Sequence, residues 1–117
     1  MKTIIAGSRT INDMAAVTKA VAQSGFDITA IISGMAAGVD TLAVRYAMQH
    51  GIELIKMPAD WSKGRSAGYK RNVQMAEIAD ALIAIWDGTS RGTEHMINIA
   101  SDRNLKVHVY NPNCIDL

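Results

Sequence analysis

Ala81-Leu82-Ile83-Ala84-Ile85-Trp86 runs almost wholly apolar into Asp87-Gly88-Thr89-Ser90-Arg91-Gly92-Thr93-Glu94. The apolar run is short for a helix and lacks the alternation of a strand with one wet face. It reads as a strand covered on both sides. Helices cover both faces of a sheet chiefly where the strands are parallel, so this run predicts an α/β domain. The glycine- and hydroxyl-rich stretch after it becomes the turn into a helix over about 92–103. Working outward, residues 2–6, 28–32, 52–57 and 106–110 are short apolar runs of the same kind. Between them lie helical patterns. Ala16, Val17, Ala20 and Val21 share one face of a helix that Asn12 or Asp13 can cap and Gly25 ends. A second helix covers 39–50 and stops at Gly51, and a third covers 68–78. Residues 58–67 break the rhythm as a longer polar loop around Trp61. Strand and helix alternate four times before a fifth strand, and right-handed crossovers turn that order into an open parallel sheet. The expected architecture is Rossmann-like and three-layered, with strand order 3-2-1-4-5 and helices on both faces. Winding then reverses between the first and fourth strands and leaves a crevice there.

The chain has 117 residues, enough for one domain with a real core. Its 49% hydrophobic and 20% charged content is that of a globular protein. Twelve Lys plus Arg stand against eleven Asp plus Glu, so a net charge of +1 supplies no bulk field for nucleic acid. Only Ile4 to Ala6 is apolar at the start, too little for a signal peptide, and no run approaches the ~18 residues of a membrane span. The single Cys114 allows no internal disulfide, and His50, His95 and His108 have no partner at metal-ligand spacing. A cytoplasmic protein with no metal, no cofactor and no membrane contact is expected.

Polar residues collect where the first four strands end. Gly7-Ser8-Arg9 follows the first: glycine admits close approach, Ser8 offers a hydroxyl, and Arg9 presents a planar fork suited to phosphate. Ser33-Gly34-Met35-Ala36-Ala37-Gly38-Val39-Asp40 follows the second and opens a helix whose exposed amides favour an anion. It matches neither the G-x-G-x-x-G fingerprint nor a Walker loop. After the third strand, Trp61 can stack on a base or act as a hydrophobic lid, and Arg65, Lys70 and Arg71 can face phosphate. After the fourth, Thr89, Ser90 and Thr93 suit a phosphate or ribose, Asp87 can accept ribose hydroxyls, and Glu94 favours the helix dipole. Each feature also has a plain structural use as a tight turn, a cap or a solvated charge. Their shared end of the sheet is what argues for a ligand. The ligand-binding residues expected are Gly7, Ser8 and Arg9; Ser33, Gly34, Gly38 and Asp40; Trp61, Arg71 and Asn72; and Asp87, Ser90, Gly92 and Thr93. Met35, Met48, Met75 and Met96 are read as core or pocket filler.

The same loops carry a family resemblance. With Pro58-Ala59-Asp60-Trp61, Ala67-Gly68, Arg71-Asn72, Met75, Ala79-Asp80 and Trp86-Asp87-Gly88 added, the chain resembles the SLOG superfamily over nearly its whole length, 1–117. Within it the chain is most similar to the small YspA-related proteins of bacteria and their phages. The resemblance implies a Rossmann-like domain that binds nucleotides or nucleotide-derived molecules, in some members as a sensor. Two relatives imply more. The cytokinin-activating phosphoribohydrolases, often called lysine decarboxylases, cleave the base from a nucleoside monophosphate with an arginine and a glutamate. Arg71 matches that arginine, Asn72 stands where lysine is usual, and Gly92-Thr93 matches the Gly-Thr pair. The glutamate position falls on Met96, and Glu94 lies two residues earlier, roughly 200° around the helix. Candidate catalytic residues by this resemblance are Glu94, Arg71 and Asp87. The second relative, the DNA-processing protein of transformation, has a Ser-Gly-x-Ala-x-Gly-x-Asp stretch close to residues 33–40 and binds single strands across a basic face.

The expected function is binding of a nucleotide or nucleotide-derived small molecule in the crevice. The alternative is an N-glycosidic hydrolase or transferase acting on nucleoside monophosphates, and a lesser alternative is single-stranded DNA binding. The near-neutral charge sets nucleic acid aside as a partner, and a homodimer is compatible with the sequence.

Overall fold

The computed structural model describes residues 1–112. Cys114 lies outside them, and so does the reading of its thiol. The elements in chain order are β1 (Lys2–Gly7), α1 (Met14–Ser24), β2 (Ala30–Ser33), α2 (Val39–His50), β3 (Glu53–Lys56), a 3-10 turn (Trp61–Lys63), α3 (Ala67–Ile78), β4 (Ala81–Ile85), α4 (Arg91–Asp102) and β5 (Lys106–Tyr110). Every strand pair is parallel and the order is β3-β2-β1-β4-β5, as the sequence predicts.

Strand alternation splits the core into two layers. Ile5, Ile31, Ile83 and Ile85 point to one side, where Val17 and Ala20 of α1 and Leu42 and Ala43 of α2 cover them. Ile4, Ile32, Leu82 and Ala84 point to the other, against Met75 and Ala76 of α3 and Met96 and Ala100 of α4. Both faces of β4 are therefore dry, which is why its sequence shows no period of two.

The helix ends follow their caps. Asp13 accepts from the Ala15 amide at 3.0 Å, and Gly25 closes α1 in the left-handed region at φ 66°. β2 starts two residues later than expected because its ladder with β1 begins at Lys2↔Ala30, leaving the Thr29 amide to donate to the Met1 carbonyl outside it. No helix among the described residues is long and apolar enough to cross a membrane.

Candidate functional site

Winding reverses between β1 and β4, the two central strands, and the loops after them part. One residue fixes how closely they part. Ser8 is fully buried; its amide donates to the Ile85 carbonyl at 3.0 Å, and its hydroxyl accepts from the Asp87 amide at 3.1 Å. Its carbonyl takes the Val39 amide at 3.3 Å. Ser8 thus ties three loops together and turns Arg9 outward. Gly38, at φ 75°, seats its Cα against the Ser8 and Arg9 carbonyls, where a Cβ would come within 2.5 Å of both oxygens.

The cleft above this knot has a volume of about 250 Å³. Met75 and Met96 line its apolar side, and Trp61, Tyr69 and the amino end of α4 form its polar rim. Three arginines, Arg9, Arg65 and Arg71, line it against one carboxylate, Asp40.

Arg71 comes from the second turn of α3 and is 9% exposed. Its Nη1 donates to the Gly34 carbonyl and its Nε to Asn72 Oδ1 at 3.2 Å. None of its nitrogens is both buried and unpartnered, and the side chain lines the cleft. Burial holds its pKa below the ordinary guanidinium range; Asp40 pulls it up and the nearby Arg9 charge pulls it down further. Asp40, 5% exposed, accepts the Ala36 amide at 3.2 Å, and burial raises its carboxyl despite that bond and both arginines. Among the described residues the only contact between opposite charges within 4 Å is Arg103–Glu77, on the surface. Arg9 and Arg71 therefore line the cleft with no carboxylate in contact with either.

Arg9 lies 5.9 Å from the Trp61 ring centroid, a cation–π distance. Trp61 is 54% exposed, held in place by the 3-10 turn that Asp60 caps through the Ser62 amide. Gly68 gives it a seat: a Cβ there would lie 2.9 Å from Trp61 Cη2. At the opposite rim, Ser90 caps α4, its hydroxyl 3.1 Å from that of Thr93, and nothing lies within 4 Å of where a Gly92 Cβ would point. The Arg91 and Gly92 amides are those a helix leaves unpaired at its start.

Asn72 braces that end. Its Oδ1 accepts from Arg71, which orients its Nδ2 toward the Gly92 carbonyl at 3.3 Å and His95 Nδ1 at 3.1 Å. His95 Nδ1 must then be unprotonated, and Tyr69 packs edge-on against the same ring. Burial lowers the His95 pKa below its ordinary 6.5. The folded chain takes up this proton at lower pH than the unfolded chain. The tie's contribution to stability is therefore complete above about pH 6.5 and is lost as the pH falls below it. Urea unfolding at about pH 7.5 and about pH 5.5 is expected to give a stability difference that shrinks in His95→Gln. An unchanged difference would assign the acid sensitivity elsewhere.

Of the sequence-predicted binding residues, Gly7, Arg9, Asp40, Trp61, Arg71 and Asn72 line the cleft, together with Ser90, Gly92 and Thr93. Gly34 lines an adjoining cavity. Ser8 and Gly38 sit in the knot below, and the Ser33 hydroxyl bridges the Asp40 carbonyl and the Met35 amide. Asp87 Oδ1 accepts the Thr89 and Ser90 amides at 2.8 and 3.0 Å, which hold its carboxyl below the usual range. Glu94 is exposed and outside the lining, whereas Met96 lies within it. Arg65, which the sequence allows to face phosphate, joins the lining, and so do Gly68 and Tyr69, which were not among the expected binding residues. A glycine in the first turn of α3, where helix geometry needs none, was the available signal for a close approach.

Residues 1–64 match the family model of the YspA, cpYpsA-related SLOG family. The chain belongs to this family. The comparison with curated proteins finds no match. Among solved structures, DNA processing protein A from Streptococcus pneumoniae is similar with a TM-score of 0.76, covering 98% of this chain and 52% of its own at 18% identity. The chain thus spans about half the length of that protein, and the likeness is one of fold. It corrects one expectation, the setting aside of nucleic acid as a partner: a DNA processing protein carries this fold. The reason is that net charge is a whole-chain average, whereas the cleft gathers three arginines against one aspartate.

Proposed function

We propose that the cleft binds a nucleotide, with Arg71, Arg9 and the first amides of α4 on its phosphate and Trp61 stacked on its base. The observation that carries this reading is the pair of guanidinium groups, Arg9 and Arg71, that line one cleft with no carboxylate within 4 Å of either among the described residues. Such a pair is stabilised by an anion placed between it. Membership of a SLOG family supports the same reading. The lining favours binding over turnover: its one carboxylate, Asp40, is engaged by the Ala36 amide.

Calorimetric titration with AMP is expected to give saturable binding, with quenching of tryptophan fluorescence. Trp61→Ala is expected to weaken it about tenfold, the scale of one base–aromatic stack. Absence of heat with millimolar AMP, GMP, CMP and UMP would remove the proposal.

A second reading is supported by the fold likeness to DNA processing protein A: the nucleotide is one unit of a single strand. Exposed Trp61 and Tyr69 stand among exposed Lys63, Arg65 and Lys70, the mixture of rings and cations that single strands use. Anisotropy of a labelled oligothymidylate separates the two. A strand-binding site gives affinity that falls steeply with salt and exceeds that of the mononucleotide.

A further inference from the structure

A second cavity of about 270 Å³ lies against the first, lined by Gly34, Met35, Pro58 and Ala59. Arg9, Ala36, Trp61 and Arg71 line both, so the arginine–tryptophan group is a partition with space on either side. We infer that the site is built for two ring-bearing units joined through phosphate, one in each cavity, with the linking phosphate at Arg9 and Arg71. This rests on the nucleotide reading above and names its ligand class more narrowly.

Three observations support it. First, the two charges sit where the cavities meet, which suits a bridging phosphate better than a terminal one. Second, the new cavity has an apolar wall. Met35 is 39% exposed there, and Pro58 and Ala59 face it. A polarizable thioether and a proline ring are suited to the face of a base or sugar rather than to a second anion. Third, Met35 holds φ at 62°, a conformation seldom taken by a bulky residue. Its amide is fixed by the Ser33 hydroxyl at 3.1 Å, and the next amide by Asp40 at 3.2 Å. The packed turn imposes a strained backbone on the residue that lines the second cavity, and such residues cluster at ligand sites.

The linkage could be a pyrophosphate in a free dinucleotide or a phosphodiester in a short strand, and both offer the shared chemistry of two rings about a phosphate. The test compares AMP, P1,P2-diadenosine diphosphate and the phosphodiester pApA by calorimetry on the whole chain. At least one two-ring probe is expected to bind about tenfold more tightly than AMP, the gain of one further stacked ring. Tighter binding of the diphosphate assigns a free dinucleotide; tighter binding of pApA assigns a strand. Ala59→Leu, which narrows the second cavity, is expected to bring the two-ring probe to within about twofold of AMP. The quantity read is a ratio within each protein, so a general loss of folded protein does not imitate the result. AMP binding with no gain from either two-ring probe would overturn this inference and leave the nucleotide reading standing. Failure of all three probes, together with GMP, CMP and UMP, would overturn both.

Discussion

Gly7→Ala is expected to destabilise the fold by about 3 kcal/mol, at the upper end of what overpacking costs. A Cβ on Gly7 falls on the Ile85 carbonyl oxygen, far inside van der Waals contact, and also 2.7 Å from Val39 Cγ2. Val39 could turn, but Ile85 cannot. Its oxygen accepts the Ser8 amide, and its residue is paired in the central ladder as Gly7↔Ile85. Relief would require β1 and β4 to separate where Ser8 fastens them, and the knot supporting the cleft would open with them. Against a domain stability of about 5–15 kcal/mol this is a large fraction, and a fall of roughly 10 °C or more in Tm should accompany it. Gly92→Ala is the control. Its Cβ meets nothing within 4 Å, and alanine favours the first turn of α4. Urea unfolding should therefore place Gly92→Ala within about 0.5 kcal/mol of the parent or slightly above it. Equal stability of the two variants would mean that the end of β1 does not approach β4 so closely.

The sheet order was legible because apolar runs and glycine stops leave few arrangements once crossovers are right-handed. The end of the sheet that holds the site was legible for the same reason: Arg9, Asp40, Arg71 and Thr93 all follow strand ends. What could not be read was which polar groups serve the ligand and which serve the frame. Ser8 and Arg9 are neighbours in sequence, yet one is fully buried in four hydrogen bonds, three of them to distant residues, and the other is exposed beside Trp61. Nothing local distinguishes them, because the partners, Ile85, Val39 and Asp87, lie far along the chain. Ala79-Asp80 is a similar case. As a landmark of the resemblance it had no evident use. In the fold Asp80 accepts the Lys2 amide at 2.9 Å and donates its own to the Lys2 carbonyl at 2.8 Å, closing the β1–β4 ladder at the end away from the cleft. The backbone of Met35 gave no signal, since a positive φ on methionine is imposed by the turn around it rather than encoded in its side chain.

Arg71→Lys is expected to weaken AMP binding about thirtyfold, close to 2 kcal/mol, although the charge is retained. The guanidinium has five donors. Nη1 uses one on the Gly34 carbonyl and Nε uses its one on Asn72, and these bonds aim the rest of the fork into the cleft. A lysine ammonium carries all its protons on one atom. It can satisfy the Gly34 carbonyl or reach the phosphate, but it cannot use one to aim the other. The exposed Arg9 has no such anchoring to lose, so Arg9→Lys should cost only a few-fold. Gly34→Ala reaches the same group by another route. Its Cβ would lie 2.5 Å from Arg71 Nη1 and 2.9 Å from Asp40 Oδ2, displacing the fork while leaving every charge in place. Both variants are read by AMP titration alongside urea unfolding, which separates loss of the site from loss of the fold. If Arg71→Lys bound AMP as tightly as the parent, a plain positive charge would suffice. The planar fork, the turn that anchors it and the Asn72 brace would then have no part in holding the phosphate. If Gly34→Ala alone lost affinity, the turn itself rather than the fork would carry the contact.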